Sequence, residues 1–145
     1  MRHLCLDIGE KRVGVAVSDP SGRVATPLTV LDAATLASDA SALERIADDY
    51  EVGALVVGLP VQLSGDEGPQ ATNVRRQAER LAAAVGLPLV YQDERLSSAE
   101  AKRAMRTAGV PERDARGSVD MVAATIVLQA YLDEHSGTAN DGEDT

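Results

Sequence analysis

A chain of 145 residues, 44% apolar and 26% charged, has one domain's length and enough apolar side chain to bury a core without disulfides. Its single cysteine, Cys5, excludes an internal disulfide framework and any Cys-based zinc module, and no apolar run reaches the roughly 18–20 residues of a membrane helix. The net charge of −9 and the absence of Phe and Trp beside three Tyr weigh against a nucleic-acid partner held by basic contacts or base stacking.

The first segment, Arg2–Ile8, reads as a short, mostly apolar strand ending at Gly9. Arg12–Ser18 alternates: Val13, Val15 and Val17 face one way, Gly14 and Ala16 the other. The intervening Gly9-Glu10-Lys11 is a tight turn, so the two strands should form a hairpin. Asp19-Pro20-Ser21-Gly22 turns the chain into a third strand over Arg23–Val30, where Pro27 points to an edge or an irregularity. A helix is expected over Ser41–Tyr50, with Ser41 and Glu44 as a capping box. Ala54–Gly58 is wholly apolar, the mark of a strand covered on both faces. After a Gly- and Pro-rich loop, a long helix covers Ala71–Val85 and stops at Gly86. Leu89–Gln92 is a second buried strand. Ser97 and Glu100 open a helix to Ala108, and the final helix runs from Ser118 to about Leu132.

The order predicts an α/β fold: a mixed five-stranded sheet, three antiparallel strands then two parallel, with helices on both faces. Residues 1–132 make this domain. The segment from Asp133 to Thr145 is acidic, has no large apolar residue, and is expected to be a disordered tail. The start of the chain is too short and too early charged for a signal peptide, so a cytoplasmic location is expected, with no membrane partner.

The charge is unevenly spread. Residues 32–67 carry a net −7 and the tail −5, whereas residues 75–116 carry +3. The acidic total therefore does not exclude a polyanionic partner.

Three groups of acids stand in places where a carboxylate needs a reason. Asp7 sits near the end of an apolar strand and shares a face with His3 and Cys5. It is either a turn organiser, a partner of Lys11 or Arg12, or part of a site. Asp93 and Glu94 lie just beyond the carboxyl end of a buried strand, where α/β folds place ligands. Asp120 lies in the first turn of the last helix, a favoured place for any acid, but beside the apolar stretch that follows it. Brought together, such acids repel unless a cation binds, and hard oxygen donors suit Mg²⁺ or Mn²⁺ rather than zinc. His3 reads as a packing residue.

The segments around these acids resemble the YqgF (RuvX) family. Leu6-Asp7-Ile8-Gly9-Glu10-Lys11-Arg12-Val13-Gly14 through Pro20 looks like its opening motif, and Val56-Val57-Gly58-Leu59-Pro60 its second. Asp93-Glu94-Arg95-Leu96-Ser97 resembles the third, and Val119-Asp120 with Ala123-Ala124 the last. The resemblance covers residues 4–132 and implies a ribonuclease-H-like fold. It also implies a Mg²⁺- or Mn²⁺-dependent nuclease with Asp7, Glu94 and Asp120 as its catalytic metal ligands. The family is described as nucleases that process the 5′ end of precursor 16S ribosomal RNA, and as Holliday junction resolvases by analogy with RuvC. RuvC-type sites add an acid three residues after the helix acid; here that residue is Ala123, which leaves one or two ions open, with Asp93 a possible substitute.

In that reading, basic residues acquire a role in holding substrate. Lys102, Arg103 and Arg106 share a helix face, flanked by Arg95, Arg113 and Arg116, while Lys11 and Arg12 lie in the first hairpin turn beside Asp7. The alternative for each is a solvated surface charge. The expected partner is precursor ribosomal RNA, or branched DNA, bound by a monomer or weak homodimer. Two other classes compete: a nucleotide-binding domain of the kinase and ATPase superfold, and a non-catalytic nucleic-acid-binding module.

Overall fold

The computed structural model describes residues 1–62, 64–94 and 119–143. Five strands form one sheet: β1 (Arg2–Ile8), β2 (Arg12–Ser18), β3 (Ala25–Asp32), β4 (Val52–Leu59) and β5 (Leu89–Asp93). Their order across the sheet is β3-β2-β1-β4-β5. The leading three pair antiparallel, and β4 and β5 add in parallel, as expected from the element order. Gly9 N–H donates to the Arg12 carbonyl at 2.9 Å and closes the first hairpin. Pro27 lies on an edge strand and also at a register shift against Ala16, so both expectations for it are met.

The period of two in the strands divides the apolar residues between two cores. Leu4, Leu6 and Ile8 of β1, Val13, Val15 and Val17 of β2, and Leu55, Val57 and Leu59 of β4 face one side. Three helices cover that side: α1 (Ala33–Ser38), α2 (Ser41–Asp49) and α3 (Pro69–Val85). Cys5, Ala16 and Val56 face the other, where Ala124, Val127, Leu128 and Leu132 of α4 (Val119–Glu143) pack on them. Small residues on the sheet let α4 lie close. Gln129 fastens it to the edge, its amide accepting from Ala25 N–H and donating to the Arg23 carbonyl, each at 3.0 Å.

Three details differ from the sequence expectation. The first is α1, which was not foreseen: six residues are too few to show a helical period, and the helix is set by Asp32, whose side chain accepts from Thr35 N–H. Second, the capping box of α2 is absent. Asp39 accepts from Ser41 N–H at 3.0 Å, and the N-cap position is Ala40, with no side-chain cap. Third, the final helix does not stop at Leu132 but continues to Glu143. Its first added turn is held by i, i+4 contacts: Gln129 donates to Asp133 at 3.0 Å, and His135 stacks on Tyr131 at 3.9 Å. The helix α3 ends as expected at Gly86, whose φ of 71° is the left-handed cap conformation and whose N–H returns to the Ala82 carbonyl.

Candidate functional site

The α4 side of the sheet carries a polar row at the carboxyl end of β1. Asp7 of β1 pairs with Gly14 of β2, and Gly58 of β4 pairs with Gln92 of β5. Because Leu6 pairs with Val57 in parallel register, Asp7 and Gly58 are neighbours in the next position. Across the four strands the row therefore reads Gly14, Asp7, Gly58, Gln92. The row beneath it is apolar: Ala16, Cys5, Val56 and Val90.

The two glycines flanking Asp7 are filled from above. A Cβ on Gly14 would stand 1.9 Å from the Asp120 carbonyl oxygen, so the first turn of α4 rests directly on that strand. A Cβ on Gly58 would stand 2.9 Å from Glu94 Oε1 and 3.1 Å from its Cγ. Glu94 follows β5 and folds back over β4. Three acids remote in sequence thus meet over one row.

Asp7 and Glu94 share a hydrogen bond. Burial raises the Asp7 pKa and the nearby Asp120 charge adds to it, while the bond from Glu94 opposes them. For Glu94, burial, the bond to Asp7 and the charges of Asp7 and Asp93 all act upward, to about 7. The pair therefore keeps one shared proton up to near neutrality. Asp120 turns instead to Arg12, whose Nε lies 3.1 Å from Asp120 Oδ2. Both partners reach solvent, at 65% and 29% exposure, so the ion pair holds Asp120 by only about 0–1 kcal/mol.

The remaining expected residues separate clearly. Lys11 and Arg12 are exposed on the hairpin turn. Asp93 alternates with Tyr91 and Leu89, which pack on the opposite core, so it stands on the wrong face to replace the acid missing at Ala123. His3 is a packing residue: its ring meets Tyr131 at 5.2 Å, and burial lowers its pKa. Burial pushes the Cys5 thiol well up, which makes it a core side chain and not a nucleophile. Arg95, Lys102, Arg103, Arg106, Arg113 and Arg116 lie outside the described residues, as does the helix expected from Ser97.

Sequence reasoning overlooked Gln92, which is buried and whose Nε2 finds no acceptor among the described residues. Its position after the apolar Leu89-Val90 was the available signal. Gly14 and Gly58 were overlooked too, since their function appears only once the register is known.

The donor set suits a divalent ion. The Asp7 carboxylate stands on the row, Glu94 bonds to it and the Asp120 charge acts on it; the Asp7 and Glu94 carboxylates are crowded enough to retain a proton that a cation would displace. Among the described residues no three acid, histidine or cysteine side chains are already gathered at ligand distance. The Asp120 carboxylate is turned to Arg12 instead.

The family model for RuvX, described as a Holliday junction resolvase, matches residues 1–134. A protein of Anaeromyxobacter sp. (strain K) named "Putative pre-16S rRNA nuclease" is 46% identical over 94% of the chain and 99% of that relative. One of the same name from Moorella thermoacetica is 47% identical over 92% and 95%. Among solved structures, RuvC of T. thermophilus in complex with Holliday junction substrate superposes with a TM-score of 0.66. It covers 95% of this chain and 97% of that one at 13% identity, a likeness of fold.

Proposed function

This chain belongs to the RuvX family, and on that premise we propose that it is a Mg²⁺- or Mn²⁺-dependent nuclease acting on precursor 16S ribosomal RNA at its 5′ end. The observation that carries the reading is the meeting of Asp7, Glu94 and Asp120 over one row of the sheet. These three would hold the ion or ions. When bound, a divalent metal supplies activation of a water and stabilisation of the leaving oxygen in phosphodiester hydrolysis.

The chain's own residues do the rest. Asp7, fixed on a central strand, provides the anchoring charge. Glu94 gives up its proton before it can ligate. Arg12, released from Asp120, becomes a cation beside the scissile phosphate, with Lys11 next to it on the same turn. Arg95, Lys102, Arg103, Arg106 and Arg116 extend this grip along the backbone. Replacing Arg103 and Arg106 together with Ala should weaken RNA binding and lower the salt slope by about 1–2. A titration of binding against salt checks it, and an unchanged slope assigns those residues to the solvated surface.

The Glu94 proton gives a second expectation. Its pKa rises on folding from an ordinary 4.5 to about 7, so the folded state binds more protons between those values. Metal-free stability should therefore fall as pH rises through that window. Mn²⁺ binding should release a proton below pH 7, its affinity dropping by up to about tenfold per pH unit. Calorimetry in buffers of different ionisation enthalpy between pH 5.5 and 8 checks both signs; an affinity independent of pH contradicts the proton assignment.

The description of the family model favours a second reading, resolution of four-way DNA junctions. Cleavage assays on precursor rRNA and on junction DNA, with Mg²⁺ or Mn²⁺, separate the two. A resolvase should also form a dimer on the junction, which a mass measurement with and without that DNA detects.

A further inference from the structure

We propose that Gly58 is a positioning residue: the side chain it lacks is the seat in which Glu94 lies against Asp7. The inference rests on the metal-site reading above and concerns how that site is assembled. Glu94 is attached beyond the end of β5, while Asp7 lies on β1, and β4 runs between those strands. To reach Asp7, the Glu94 side chain must cross β4 on the α4 side. The residue of β4 that faces this side at that level is Gly58.

The clearances show what a side chain there would do. A Cβ would stand 2.9 Å from Glu94 Oε1, 3.1 Å from Cγ and 3.4 Å from Cδ. Its three nearest atoms thus belong to this one side chain. Gly14 differs, because a Cβ there meets the backbone of Asp120 and Met121. A backbone cannot yield without moving α4, whereas the end of a glutamate can swing aside. A methyl at Gly58 should therefore spare the fold and displace the carboxylate. No φ outside the ordinary range requires glycine at this position, so space alone accounts for it.

The test is a cycle of Gly58→Ala and Glu94→Ala, read by Mn²⁺ calorimetry, thermal unfolding and a crystal structure of Gly58→Ala. Gly58→Ala should unfold within a few degrees of wild type, bind Mn²⁺ about 10-fold or more weakly, and show Glu94 withdrawn from Asp7. In the Glu94→Ala background the same change should leave Mn²⁺ affinity within about 2-fold, because the obstructed side chain is gone. Equal losses in both backgrounds, or a crystal structure with Glu94 still bonded to Asp7, overturns the proposal. Should Gly58→Ala fail to fold, recovery of folding in the double variant supports the seat, and failure of both overturns it. A wild type that binds no Mn²⁺, together with a displaced Glu94 in the Gly58→Ala crystal, sinks the metal reading and leaves the seat standing.

Discussion

Asp7→Asn is expected to reduce Mg²⁺- or Mn²⁺-dependent cleavage by well over 100-fold while leaving the fold intact. The magnitude follows from the site's construction. Residues that only orient a metal ligand cost about 10–100-fold when changed, and Asp7 is proposed as a ligand itself. The amide keeps the shape, so β1 and its pairing with Gly14 should be undisturbed. It also removes a charge that burial and Asp120 both disfavour. The metal-free variant should thus be at least as stable as wild type at pH 8, the direction expected where a site is held against its own electrostatics. Cleavage of precursor rRNA and thermal unfolding, measured on the same preparation, check the two halves. A variant that cuts as fast as wild type identifies the activity as a contaminant.

Gly14→Ala should have the largest effect on stability of any single methyl added to the site. The new Cβ would lie 1.9 Å from the Asp120 carbonyl oxygen and 2.9 Å from the Met121 nitrogen. Only movement of α4 relieves this, and α4 is pinned by Leu128 and Ala124 in the core and by Gln129 at the sheet edge. Overpacking of this kind costs about 1–3 kcal/mol, and the upper end is expected here. In a domain of this size that lowers Tm on the order of 5–10 °C. Cleavage should fall as well, because Asp120 moves with the helix. Calorimetric unfolding of the variant beside Gly58→Ala checks the contrast between a backbone obstacle and a side-chain obstacle.

The sheet was legible because its strands carry unambiguous patterns. Alternation in Arg12–Ser18 and the unbroken apolar run around Ala54–Gly58 state which strands are covered and on which faces. The short helix at Ala33–Ser38 was not legible, since it rests on one Asp32 cap and less than two turns of periodicity. The end of α4 was misplaced for a related reason. Composition after Leu132 disfavours a helix, but the contacts from Gln129 and Tyr131 that carry it onward lie one turn back.

For the site, position alone gave each acid a weak reason to be suspected, and a helix packed on the sheet offered a way to bring them together. Residues 7, 94 and 120 lie on three elements, and their meeting depends on the strand order and on two bare positions in the sheet. The resemblance of the four motifs then implied Asp7, Glu94 and Asp120 as the set. Asp93, adjacent in sequence to Glu94, shows the limit of proximity along the chain: one step along β5 turns its side chain to the other core.

The helix α4 has two attachments of different character. Its middle closes a hydrophobic layer through Ala124, Val127 and Leu128, and its first turn carries one of the acids. On the proposed metal reading, an ion held by Asp120 should stabilise the packing of α4 on the sheet, since both depend on the same helix. Conversely, a void opened beneath Leu128 should lower the affinity for metal, with every donor atom still chemically intact.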